Sequence, residues 1–251
     1  SGDIDGGSGL DTLDLAAYTT GVSITLSGTG TSGLGGTTAS QSPDVNPLAG
    51  TFDNIDTLVA PTTATNTLVG ADESNTWSIT GSDSGVVNAM AFSNVANVVG
   101  GGSDDSFTLN LGGLAGSLEG GAGSDSLTLT DGTNSWNITT TNAGSVPGIS
   151  GGFSDVENLT GGSDADTFAF SDGAVISGSL AGGSGSDWID FSDSSSGIVF
   201  DLDLLDTPQS VFGASELTIS ESIENLVGSA FDDEIRARLL SVPRSIDGGD
   251  H

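Results

Sequence analysis

Apolar residues recur at every second position in short runs. In Ser106-Phe107-Thr108-Leu109 and Ser126-Leu127-Thr128-Leu129 the apolar side chains share one face and the hydroxyls the other. Ile198, Phe200, Leu202 and Leu204 repeat the pattern against Val199, Asp201 and Asp203. Such alternation predicts half-buried strands. Helical spacing is nearly missing. The best stretch, Glu234–Leu240, alternates as well as it spirals. The expected fold class is all-β.

One motif precedes many of these strands: two glycines, an Asp four residues later, a polar residue, then an apolar one. It reads Gly6-Gly7-Ser8-Gly9-Leu10-Asp11-Thr12-Leu13 and returns from Gly100 to Asp105, Gly120 to Asp125, Gly161 to Asp166 and Gly182 to Asp187. A weaker copy runs from Gly228 to Asp233, and a degenerate one starts at Gly70 with Asn75 in the Asp position. Asp105 and Asp125 are 20 residues apart, Asp166 and Asp187 are 21. Repeats of about 20 residues are what one coil of a solenoid needs, each coil covering the apolar face of its neighbour. The expected architecture is a parallel β-solenoid, β-helix- or β-roll-like, with one Gly-Asp turn per coil.

A larger repeat overlays this one. Asn75-Thr76-Trp77-Ser78-Ile79-Thr80 resembles Asn134-Ser135-Trp136-Asn137-Ile138-Thr139, and Phe92–Val98 resembles Phe153–Leu159. Asn97, Asn158 and Asn225 each precede a motif glycine by three residues, a spacing at which side-chain amides can bond along a solenoid axis or simply favour turns. Ile4-Asp5-Gly6-Gly7 reappears as Ile246-Asp247-Gly248-Gly249. These features predict a single elongated domain over residues 1–251, a segment of a longer array. Two stretches break the rhythm, 28–50 with Pro43 and Pro47, and 205–216 around Pro208. Both are expected to be irregular insertions.

Charge changes the picture. The chain carries 34 acidic residues against three arginines and no lysine, a formal charge of −31. Such a fold repels itself unless salt or bound cations neutralise it, and carboxylates favour hard cations. The charge excludes nucleic acid as a partner, because phosphate needs basic patches. Without cysteine there is no disulfide framework or thiol chemistry. No run approaches the ~18 apolar residues of a membrane span.

The turns resemble the haemolysin-type (RTX) calcium-binding repeat, Gly-Gly-x-Gly-x-Asp-x-apolar-x, best at Asp5 to Leu15, Gly120 to Leu129 and Gly182 to Phe191. In that family ions sit between stacked turns. The resemblance therefore implies Ca²⁺ as cofactor, with Asp11, Asp105, Asp125, Asp166, Asp187 and Asp233 as carboxylate ligands. Carbonyls of Gly7, Gly101, Gly121, Gly123, Gly162, Gly183 and Gly185 would complete the shells. Asp104, Asp164 and Asp232 are further candidate ligands. The family repeats its motif about every nine residues, whereas most copies here are about twice that apart, so either ions would line one edge only or each turn would bind more weakly. The physical logic stands beside the family name: Ca²⁺ takes about six to eight oxygens, and glycine turns can aim carbonyls inward.

The only histidine is His251, so a His-based triad or general base has no residue to use. Asp104-Asp105 and Asp232-Asp233 resemble paired carboxylates, but neighbours on a strand point to opposite faces. The expectation is a non-enzyme: a calcium-stabilised, extracellular, structural or adhesive segment of a secreted or surface-attached bacterial protein. Expected partners are calcium and neighbouring copies or repeats joined through open sheet edges. Cell-surface glycans are the alternative partner, if Trp77, Trp136 and Trp188 stack on sugars rather than fill the core. Arg236 and Arg238 alternate with apolar residues and should face solvent, and Arg244 completes the basic cluster.

Overall fold

The computed structural model describes residues 3–29, 33–40, 50–130, 132–212, 216–219, 223–236 and 245–249. Among them the chain is all-β, without a helix and with long parallel ladders. None of them forms a helix long and apolar enough to cross a membrane. The chain divides into two compact units, Ser1–Asp125 with Gly148–Gly151, and Ser126–Pro147 with Gly152–His251.

The first unit contains β1 (Ile4–Asp5), β2 (Thr12–Asp14), β3 (Val22–Thr29), β4 (Leu34–Ser40), β5 (Thr51–Ile55), β6 (Thr57–Val59) and β7 (Thr67–Val69). Then come β8 (Thr76–Gly81), β9 (Ser84–Val87), β10 (Met90–Ser93), β11 (Asn97–Gly101), β12 (Ser106–Leu109) and β13 (Leu118–Gly121). One sheet runs β1-β5-β4-β3-β7-β11-β13, the other β2-β6-β10-β9-β8-β12. The glycine-rich turns carry the chain from the first sheet to the second, at β1–β2, β7–β8 and β11–β12. Parallel pairing then stacks equivalent residues: Val98 lies beside Leu68 on one side and Leu118 on the other, and Phe107 lies beside Trp77. The predicted alternation holds, with Phe107 and Leu109 buried while Ser106 is exposed.

The second unit contains β14 (Ser126–Leu129), β15 (Ser135–Thr140), β16 (Ala143–Val146), β17 (Ile149–Ser154, from Gly152 onward), β18 (Asn158–Gly162), β19 (Thr167–Phe170) and β20 (Ser179–Gly183). It continues through β21 (Trp188–Asp190), β22 (Val199–Asp201), β23 (Gln209–Ser210), β24 (Glu216–Ile219), β25 (Asn225–Val227), β26 (Glu234–Arg236) and β27 (Ser245–Asp247). Its strand orders are β17-β16-β15-β19-β21-β25-β27, β14-β18-β20-β24-β23 and the pair β22-β26. Here the turns after β18 and β20 lead into β19 and β21.

The larger sequence repeat is a repeated three-stranded meander, β8-β9-β10 and β15-β16-β17. The pairs β8-β9, β9-β10 and β15-β16 are antiparallel. On their other edges β8 runs parallel to β12, and β15 parallel to β19. Trp77 stacks on Phe107 at 5.7 Å and meets Phe92 edge-on at 6.0 Å. Trp136 repeats both contacts with Phe168 at 5.5 Å and Phe153 at 6.0 Å. Asp83 and Asn142 hold the first hairpin turns at φ of 50° and 55°, a conformation Asx residues tolerate.

Local readings are refined at four places. Within 28–50, the chain forms β4, paired antiparallel with β3 and β5. Its Ser/Thr/Gly composition reads as loop, yet Leu34 and Thr38 are buried. Residues 30–32 and 41–49, including Pro43 and Pro47, lie outside the described residues. Within 205–216, Gln209–Ser210 pairs with β24, and Leu205 bridges to Ile219; 213–215 lie outside. The start of the Glu234–Leu240 stretch is strand β26, and residues 237–240 lie outside. Leu204 leaves the buried face that Ile198, Phe200 and Leu202 share, because the chain turns at Asp201, whose carbonyl accepts the Leu204 amide.

Candidate functional site: the glycine-aspartate turns

The motif carboxylates point inward. Asp125, Asp166 and Asp187 are fully buried and Asp105 is 2% exposed, while Asp11 and Asp233 are half-buried. Strand alternation explains this. Asp105 shares its parity with Phe107 and Leu109, and Asp166 with Phe168 and Phe170, so each Asp begins the apolar face of its strand. That signal was present in the sequence.

Each buried carboxylate accepts the amide of the residue at the same point of a neighbouring turn. In the first unit the Asn75 amide donates to Asp105 Oδ1 at 2.6 Å, and the Asp105 amide donates to Asp125 Oδ1 at 2.7 Å. In the second unit Asn134 donates to Asp166 Oδ1 at 2.7 Å, Asp166 to Asp187 Oδ1 at 2.9 Å, and Asp187 to Glu224 Oε2 at 2.9 Å. Asp11 donates to Asp56 Oδ2 at 2.9 Å, and Ile198 donates to Asp233 Oδ1 at 2.8 Å. The two Asp pairs one repeat apart in sequence, Asp105 with Asp125 and Asp166 with Asp187, are brought together. Asp56 and Glu224 are additions. Asp56-Thr57-Leu58 repeats the Asp-polar-apolar order without the glycines, whereas Glu224 has no such signal.

The other carboxylate oxygen faces the first glycine of its own turn. A Cβ on Gly100 would collide with Asp105 Oδ2, and one on Gly161 with Asp166 Oδ2. The second glycine of the turn is left-handed, as at Gly121 (φ 104°) and Gly183 (φ 93°), which other residues rarely adopt. Gly7, Gly101 and Gly162 share that conformation, as do Gly123 and Gly185 two residues after theirs. Asp166 Oδ2 and Asp11 Oδ2 are buried with no hydrogen-bond partner. Burial foremost pushes Asp105 and Asp166 above the usual carboxylate range, opposed by the hydrogen bonds from Asn75 and Asn134 and reinforced by Asp104 and Asp164.

Asp104, Asp164 and Asp232 form no inward site; all three are exposed. Asp104 Oδ1 accepts the Ser124 amide at 2.8 Å and Asp164 Oδ2 the Gly132 amide at 3.1 Å. Among the described residues no three acidic or histidine side chains converge on one point. An ion at a turn would therefore take one carboxylate with backbone carbonyls. The donor set is all-oxygen and fits a hard cation.

The asparagine positions bond along the stacking direction, but to serine. Asn97, Asn158 and Asn225 Oδ1 accept the amides of Ser117, Ser179 and Ser245 at 2.9, 3.0 and 3.1 Å. Trp77 and Trp136 are fully buried and Trp188 is half-buried. Arg236 is exposed and pairs with Glu234 at 2.6 Å; Arg238, Arg244 and His251 lie outside the described residues. Comparison with known proteins finds no matching family model, no similar curated protein and no similar solved structure.

Proposed function

We propose that this chain is a calcium-stabilised β-solenoid segment, with coils of about 20 residues, serving as a structural or adhesive part of a secreted or surface-attached protein. The observation that carries the reading is the buried Asp166 carboxylate, one oxygen of which has no donor while a row of like turns stacks beside it. Burying an uncompensated carboxylate is costly. A divalent cation held by that oxygen and turn carbonyls offsets the cost and the −31 charge together. When bound, the ion would supply charge neutralisation and cross-linking of adjacent turns, and Asp11, Asp105, Asp125, Asp166, Asp187 and Asp233 are the carboxylates nearest to it.

Extracellular calcium reaches millimolar levels, which suits weak sites of this kind. In a calcium-poor cytosol the acidic turns would resist folding. Assembly with neighbouring copies through open sheet edges belongs to the same reading. Glycan binding through aromatic stacking is the weaker reading, because Trp77 and Trp136 are buried.

Isothermal titration of the full chain with CaCl₂ tests the proposal. Saturable heat with several equivalents of calcium is expected, together with weaker or absent heat for MgCl₂. No saturable heat with calcium contradicts it.

A further inference from the structure

Two turns stacked on the aspartate turns carry asparagine in the aspartate position, and a third asparagine, Asn66, fills a glycine-free turn between β6 and β7; the amides show what such a position requires. Asn75 Nδ2 donates to Ala71 O at 3.0 Å, Glu73 O at 2.7 Å, Gly100 O at 3.1 Å and Asp105 Oδ1 at 2.9 Å. Asn134 Nδ2 donates to Gly132 O at 2.8 Å, Gly161 O at 3.1 Å and Asp166 Oδ1 at 2.9 Å. Asn66 Nδ2 donates to Pro61 O at 2.7 Å, Ala64 O at 3.1 Å and Asn94 O at 2.8 Å. Each is a cage of oxygens around a hydrogen-bond donor.

The aspartate turns place an oxygen in the same cage. The α-carbon of Gly70 faces Gly100 O and Asn75 Nδ2; that of Gly161 faces Gly182 O and Asp166 Oδ2. The amide nitrogen and the carboxylate oxygen therefore occupy equivalent places, each beside the carbonyl of the next turn's first glycine. With nitrogen the two groups bond. With a bare carboxylate two acceptors meet, and Asp166 Oδ2 is the buried oxygen without a partner.

We infer that Asn75 and Asn134 are built-in substitutes for the positive group that the Asp166 turn must take from solution, so these two turns need no ion. The inference deepens the calcium reading by separating ion-requiring turns from ion-free ones, and rests on it only for the identity of the group supplied. Asn75 and Asn134 each donate to the first buried Asp of their stack, so one turn in each of those stacks is set without calcium.

The test is the pair of reciprocal exchanges Asp166→Asn and Asn134→Asp in the full chain, each taken through thermal unfolding in EGTA and in CaCl₂ at matched ionic strength. Asp166→Asn is expected to melt higher than wild type in EGTA and to show a smaller calcium-induced rise. Asn134→Asp is expected to melt lower in EGTA and to gain a larger calcium-induced rise. If Asp166→Asn melts no higher than wild type in EGTA, or Asn134→Asp no lower, the inference is overturned. A wild-type chain indifferent to calcium, with both exchanges behaving as expected in EGTA, would support the inference while overturning the calcium reading.

Discussion

The Gly70–Asn75 turn and the Gly161–Asp166 turn have the same backbone logic and opposite chemistry. In both, the first glycine lies against the tip of the residue five positions on, and the next turn's carbonyl lies beside that tip. Asn75 fills its cage with a donor, whereas Asp166 fills it with an acceptor. A single nitrogen-for-oxygen exchange thus separates a turn complete in itself from one that needs something added. A repeat array can set its ion dependence turn by turn in this way without changing its fold.

Removing the donor from the complete turn should have the largest effect. Asn75→Leu keeps the branched shape but removes the amide hydrogens shared among the carbonyls of Ala71, Glu73 and Gly100, and a stranded buried acceptor costs about 1–3 kcal/mol. A loss of several such increments in urea unfolding is expected, and calcium should not restore it. Filling the glycine side of the cage comes next. Gly161→Ala and Gly70→Ala each force a methyl into a carboxylate or amide tip and a carbonyl, and overpacking of this kind costs about 1–3 kcal/mol. Similar losses are expected for the two variants, read as urea midpoints; a neutral Gly161→Ala would mean that Asp166 does not fill the cage.

A pH scan in EGTA is expected to show a smaller change. Asp105 and Asp166 lie above the ordinary value of 3.8, chiefly through burial. The folded chain therefore holds their protons more tightly than the unfolded chain. That stabilisation is complete below the ordinary value and is lost as pH rises through the raised one. Asp104 and Asp125 face the first group, and Asp164 and Asp187 the second, so no cation among the described contacts opposes the shift. Melting temperature should fall with rising pH across that window, less so for Asp166→Asn. Arg236→Ala is the control: its pair with Glu234 is 60% and 59% exposed, and a change within about 0.5 kcal/mol is expected.

Much of this arrangement could be read from the sequence, and the gaps have physical causes. Phe107, Leu109, Leu127 and Leu129 face inward as period-two alternation requires. The same alternation carried two residues back places Asp105 and Asp125 inward, but carboxylates are so seldom buried that alternation alone does not predict their full burial. The Trp77 and Trp136 segments were legible as copies. Their meanders were not, because the hairpins turn on Asp83 and Asn142 in left-handed geometry rather than on an Asn-Gly pair. Strand β4 was hidden by Ser/Thr/Gly composition, since the apolar positions that commit it to the core are few. The pairing of Asp187 with Glu224 depends on an insertion between them, and no spacing rule predicts its length.

Differential scanning calorimetry of the unaltered chain is the most direct measurement, run in EGTA, in EGTA with NaCl at matched ionic strength, and in CaCl₂. A melting temperature that rises with calcium well beyond the NaCl effect is the predicted result, since screening alone does not fill the Asp166 cage. The same melting temperature in CaCl₂ and in matched NaCl would contradict a calcium requirement at the aspartate turns.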